Sequence, residues 1–121
     1  MTAPSREIRL SVRSVRGHPV RRRNVRIPCS VVARVDTWDK SVRGLCNDLS
    51  LGGMLFIGPA VPVGEKINVT LDLSGYGSTS LAGEVLAHRT LLDRPAMAIR
   101  FPELSQSDLR AINRFVANQL A

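Results

Sequence analysis

Aromatic residues are scarce in this 121-residue chain, with three Phe, one Trp and one Tyr making up 4% of it. A protein that binds single-stranded nucleic acid by base stacking needs more such platforms. With so few aromatics, packing must fall to Val, Leu, Ile and Ala within the 44% of residues that are hydrophobic. Cysteine is nearly as rare. Cys29 and Cys46 stand alone, without a C-x-x-C spacing, and the only histidines are His18 and His88, a set too sparse for an ordinary zinc site. His18 falls in a polar N-terminal stretch and His88 has no neighbouring nucleophile. We therefore expect no enzyme, no metal and no cofactor. Both cysteines sit in apolar, strand-like patterns, which favours buried free thiols over a disulfide. No apolar run is long enough for a membrane span, and residues 1–20 lack the apolar core of a secretory signal. A cytoplasmic location without membrane insertion is the resulting expectation.

Acidic residues are missing from one particular place. The chain carries 17 Lys and Arg against 10 Asp and Glu, a formal charge of +7. Arg6, Arg9, Arg13, Arg16, Arg21, Arg22, Arg23 and Arg26 share residues 1–26 with a single acid, Glu7. The whole excess thus belongs to the N-terminal fifth, and residues 27–121 are neutral. Such a segment attracts anions, whether nucleic acid, anionic lipid or a phosphate-bearing ligand. Pro4, Gly17 and Pro19 interrupt it, so residues 1–20 read as a flexible basic arm. The alternation over residues 8–15 also allows a short edge strand there. Residues 21–121 then form one domain.

Apolar residues alternate from Ile27 onward, with Ile27, Cys29, Val31, Ala33 and Val35 on one face of a half-buried strand. A polar turn around Trp38 leads into a second strand from Val42 to Asp48. A Gly-rich turn over Leu49–Gly52 precedes a third strand, Gly53–Ile57. Pro59, Pro62 and Gly64 mark a loop rather than a helix. Lys66–Leu73 alternates cleanly, and after a turn at Ser74–Ser78 two more strands, Thr79–Arg89 and Ala96–Phe101, flank a loop holding Asp93 and Pro95. Six short strands separated by turn residues predict a compact all-β sandwich or barrel. The end is different: Ser105 and Asp108 make a capping-box-like start, with Leu104 and Leu109 at staple positions. Leu109, Ile112, Phe115, Val116 and Leu120 repeat at helical spacing. One amphipathic helix over about residues 105–120 is expected, packing chiefly within the chain.

Two short motifs carry the chemistry. The first is Arg21-Arg22-Arg23-Asn24-Val25-Arg26, in which Arg22 and Arg26 project to the same side of an extended chain. The planar arginine fork matches a phosphate or the O6/N7 edge of guanine, and its flat face stacks on bases. The second is Asp48-Leu49-Ser50-Leu51-Gly52-Gly53. Asp48 ends an apolar strand, where a carboxylate accepts from a guanine Watson–Crick edge, caps the turn, or pairs with an arginine. Ser50 has a ligand or the turn backbone as partner, while Gly52 and Gly53 permit positive φ and close backbone approach. Forked cations, a fixed carboxylate, a hydroxyl and bare backbone together suit a planar, phosphate-bearing ligand such as a guanine nucleotide.

This ordered pair resembles the PilZ domain family. The matching pieces are Arg22-Arg23-Asn24-Val25-Arg26 with Ile27-Pro28-Cys29-Ser30-Val31 after it, the run from Asp48 to Met54, and Ala98-Ile99-Arg100-Phe101 near the end. The resemblance covers about residues 20–120. It implies an all-β fold with one C-terminal helix, namely a six-stranded antiparallel barrel, and many such domains bind the bacterial second messenger cyclic di-GMP. Carried over residue by residue, Arg22 and Arg26 would grip guanine and phosphate, Asp48 and Ser50 would read a guanine edge, and Gly53 would leave space for the ligand. Arg21 would be an extra clamp favouring a stacked ligand dimer. The implied function is a cyclic di-GMP receptor whose arginine arm changes conformation on binding and signals to a downstream protein. Two alternatives stand beside it: a protein-interaction module that binds no nucleotide, and a nucleic-acid-binding barrel using the basic arm.

Overall fold

The computed structural model describes residues 26–73, 75 and 77–120. The basic arm, the strand expected over residues 8–15, and Arg21 and Arg22 lie outside them. The order of elements is β1 (Ile27–Asp36), β2 (Ser41–Leu49), β3 (Gly53–Ile57), β4 (Lys66–Leu73), β5 (Gly77–Leu91), β6 (Arg94–Arg100) and α1 (Gln106–Leu120). All neighbouring strands are antiparallel, and they close into a barrel in the order β1-β2-β3-β6-β5-β4, with β4 returning to pair with β1. Closure removes exposed sheet edges.

The alternation along β1 is realised: Ile27, Val31, Ala33 and Val35 are buried while Pro28, Ser30, Val32 and Arg34 face water. Ile67, Val69, Leu71 and Leu73 do the same on β4. β3 is short and almost wholly buried, and the Phe56 ring lies close over Gly44 and Gly58, where side chains would obstruct it. The interior is aliphatic, as the shortage of aromatics requires, with Leu49, Met54, Leu71, Leu73, Leu81 and Met97 among its largest fully buried side chains beside Phe56. In the loop after β3, Val61 is buried. Its carbonyl accepts from His88 Nε2 at 2.7 Å, so this histidine ties a loop to β5.

The helix begins where expected. Ser105 Oγ accepts the Asp108 N–H at 3.1 Å, and Asp108 supplies an acid in the first turn. Ile112, Phe115 and Val116 are buried in the same core as the barrel residues, and α1 packs on β1 and β5. The expected loop around Asp93 and Pro95 is instead a two-residue turn. β5 runs to Leu91, β6 starts at Arg94, and Leu92 and Asp93 have φ of 51° and 63°. Positive φ at both central residues is the hairpin geometry that follows strand twist. Pro95 fits in β6 because it pairs with Thr90 and its carbonyl accepts from the Gly58 N–H at 3.0 Å.

Candidate functional site

Strict alternation along β2 would turn Cys46 and Asp48 to the same face. The pairing with β3 shows why it does not: Leu45↔Ile57 and Cys46↔Phe56 are followed by Asp48↔Leu55 and Leu49↔Met54. Asn47 is therefore an extra residue, a β-bulge, and bulges re-aim the side chains that follow them. Cys46 and Leu49 both turn inward and are fully buried, leaving Asp48 partly exposed. β1 has its own irregularity between Pro28 and Val31, beyond which Ile27 faces Leu49 and Pro28 faces Asp48. The residue preceding β1 is Arg26. Its Nη1 donates to Asp48 Oδ1 at 2.9 Å. One residue from each motif thus meets at this end of the β1–β2 ladder. Both side chains reach water, at 53% relative exposure for Arg26 and 27% for Asp48.

The turn after Asp48 is built from its own polar groups. The Ser50 N–H donates to the Gly53 carbonyl at 2.9 Å, and the Gly52 N–H donates to Ser50 Oγ at 3.1 Å. Ser50 Oγ itself donates to the Gly53 carbonyl at 3.4 Å, and the residue is only 3% exposed. Of the two partners open to this hydroxyl, it engages the turn backbone. The Gly52 carbonyl accepts from the Phe101 N–H at 2.9 Å, tying the turn to the end of β6. Gly53 lies opposite Arg100, and a Cβ there would strike the Ile99 carbonyl oxygen. Its missing side chain makes room for β6. Among the described residues the positive-φ glycines are Gly64, Gly75 and Gly77, so neither Gly52 nor Gly53 uses the left-handed freedom that its sequence context suggested.

The residue opposite Gly53 is a further arginine. Arg100 pairs in register with both Gly53 and Glu84, and its Nη2 donates to Glu84 Oε1 at 2.8 Å. That hydrogen bond, aided by the Arg100 charge, holds the Glu84 carboxyl below its ordinary range. Sequence reasoning did not single out Arg100 as a site residue. Its outward position follows from the alternation of the last strand, but its place next to Gly53 depends on the β3–β6 register. Among the described residues no three Cys, His, Asp or Glu side chains are grouped to hold a metal, and no helix is long and apolar enough to cross a membrane.

The fold and this site bear comparison with known proteins. No curated protein sequence matches the chain. Solved structures do match it. YcgR from Escherichia coli in complex with c-di-GMP superposes with a TM-score of 0.74 at 21% identity, over 83% of this chain and 46% of that one. The PilZ domain of YcgR with c-di-GMP gives 0.68 at 20% identity, over 83% and 91%. The K. pneumonia MrkH–c-di-GMP complex gives 0.71 at 18%, over 81% and 52%. The chain therefore spans about half the length of YcgR and MrkH, and nearly all of the isolated domain. At these identities the likeness is one of fold. The family model for the PilZ domain matches residues 20–118, from the arginine motif through the barrel and most of the helix, and this chain belongs to the PilZ domain family.

Proposed function

We propose that this chain is a cyclic di-GMP receptor module, with the Arg26–Asp48 contact as the observation that carries the reading. Two motifs 22 residues apart in sequence supply one guanidinium and one carboxylate within 2.9 Å of each other. Exposed ion pairs of this kind are worth about 0–1 kcal/mol, so a ligand that satisfies both partners displaces the pair at little cost. A guanine offers N1–H and N2–H₂ to Asp48 as a two-pronged donor. A phosphate offers Arg26 a bidentate acceptor. Both exchanges keep each group hydrogen-bonded, and the phosphate also keeps the Arg26 charge paired.

The remaining parts divide by role. Arg22 and Arg21 approach from the arm, Arg22 as a second grip and Arg21 as a clamp over a stacked pair of ligands. Ser50, Gly52 and Gly53 fix the turn that holds Asp48 in place. The ligand's two phosphates neutralise part of the arm's charge and draw it onto the barrel. Ordering the arm costs conformational entropy that the charge-assisted bonds offset. The new arm position is what a downstream protein reads, a population shift driven by differential ligand contacts. Support comes from family membership, from the c-di-GMP complexes among the structural neighbours, and from the meeting of the two motifs.

A nucleotide panel at low and high salt tests the reading. Selective binding of cyclic di-GMP over GTP and RNA, weakened little by salt, is expected. Broad polyanion binding that falls steeply with salt is the behaviour of a nucleic-acid-binding arm and overturns the proposal.

A further inference from the structure

Cys29 and Cys46 are free thiols on adjacent strands. Their sulfurs lie 3.8 Å apart. Regular antiparallel pairing would not bring them together, since Val31 is the register partner of Cys46. The irregularity between Pro28 and Val31 shifts Cys29 towards Cys46, and its Sγ–H also reaches the Cys46 carbonyl at 3.4 Å. The two thiols are unequal. Cys29 is partly exposed, whereas Cys46 is buried, with its Sγ–H donating to the Asp48 carbonyl at 3.3 Å. Hydrogen bonding with Cys46 lowers the Cys29 thiol below its ordinary value, against the opposing effects of partial burial and the Asp48 charge. Hydrogen bonding with Cys29, followed by burial, pushes Cys46 up.

The geometry points to a peroxide-oxidisable dithiol, in which Cys29 is the attacking thiolate and Cys46 the resolving thiol, closing a disulfide between β1 and β2. Cys29 is the accessible, more acidic partner, which is what determines which sulfur attacks a hydroperoxide. Its thiolate takes one peroxide oxygen, the O–O bond breaks, and the leaving hydroxide is protonated to water. The Cys29 sulfenic acid then has Cys46 beside it. The Cys46 sulfur attacks the Cys29 sulfur, the S–O bond breaks, and the Cys46 proton leaves with the hydroxide as a second water. Two thiols are oxidised by two electrons and one hydroperoxide is reduced. The sulfurs must close to about 2.05 Å. Bulge residues are less constrained by ladder hydrogen bonds than their neighbours, which allows that approach.

The disulfide would act on the proposed ligand site, a consequence that rests on the cyclic di-GMP reading. Oxidation removes the Cys46 hydrogen bond to the Asp48 carbonyl. It also draws β1 towards β2 three residues after Arg26. Both changes hold the Arg26–Asp48 pair in a geometry set by the disulfide rather than by the ligand, which weakens binding.

The full chain is treated with hydrogen peroxide and followed by intact mass, thiol titration and non-reducing electrophoresis. A monomer that loses two hydrogens, about 2 Da, together with both titratable thiols is the expected product, restored by dithiothreitol. Cys46→Ala should instead gain oxygen at Cys29, and Cys29→Ser should keep its thiol. Two thiols surviving oxidation, added oxygen with both cysteines present, or a disulfide-linked dimer overturns the inference. Oxidised chain should bind cyclic di-GMP at least about threefold more weakly than reduced chain; equal affinity overturns the coupling to the site. A chain that binds no cyclic di-GMP in either state contradicts the proposed function, while the mass still decides the disulfide.

Discussion

Arg26 Nη1 lies 2.9 Å from Asp48 Oδ1, and the two residues meet at the open end of the β1–β2 hairpin. The bond is exposed, so its value to the fold is small. Arg26→Ala should therefore change unfolding free energy by less than about 1 kcal/mol. Urea titration checks this. A cooperative fold kept at nearly wild-type stability is the expected result; a larger loss would assign Arg26 a role in folding.

Gly53 makes the opposite case. A methyl group there meets the Ile99 carbonyl, part of the β6 backbone, and backbone yields less readily than a side chain end. Gly53→Ala should cost about 1–3 kcal/mol, the usual penalty of overpacking. Thermal unfolding measures it. Affinity per folded molecule should fall less than stability does, since the clash is with the Ile99 carbonyl of β6.

The Glu84–Arg100 pair predicts a pH effect. Hydrogen bonding to Arg100 depresses the folded carboxyl below its ordinary value of 4.5. Its contribution is thus present above that unfolded value and lost as pH falls through the lower folded value. Melting temperature followed downwards from neutral pH should show wild type and Arg100→Ala converging in the acidic range. A gap that persists once Glu84 is protonated assigns the effect of Arg100 to packing of its stem.

Leu92 sits at the tip of the β5–β6 hairpin with φ of 51° and 86% exposure. Left-handed backbone is costly for leucine, and so much exposure leaves little buried surface to offset it. Leu92→Asn, a residue that tolerates this conformation, should stabilise the barrel by about 0.5–1 kcal/mol. Differential scanning calorimetry reads the rise.

These cases also show what can be read from sequence alone. Alternation exposes β1 and β4 plainly, because each has one wet and one dry face. Capping and helical spacing locate α1 through Ser105, Ile112, Phe115 and Val116. The Leu92-Asp93 turn is hidden, since leucine is not a usual choice for positive φ and Pro95 imitates a strand breaker. Asn47 is hidden too: that Cys46-Asn47-Asp48-Leu49 holds one extra residue depends on the partner strand, and only the pairing with β3 exposes it. The candidate site shares that limit. Asp48 stands out as a charge at the end of an apolar strand, and Ser50 and Gly53 as turn residues. That Ser50 spends its hydroxyl within the turn, and that Gly53 clears β6, are facts of register and packing between distant segments.

The most direct measurement is calorimetric titration of cyclic di-GMP into wild type, Arg26→Ala and Asp48→Ala, with each variant first shown to be folded. Saturable binding by wild type and affinities at least about tenfold weaker in both variants, a loss of about 1.4 kcal/mol or more, are the predicted result. Equal affinity in all three folded proteins, or no binding by wild type, would contradict the assignment of the Arg26–Asp48 contact as the centre of the ligand site.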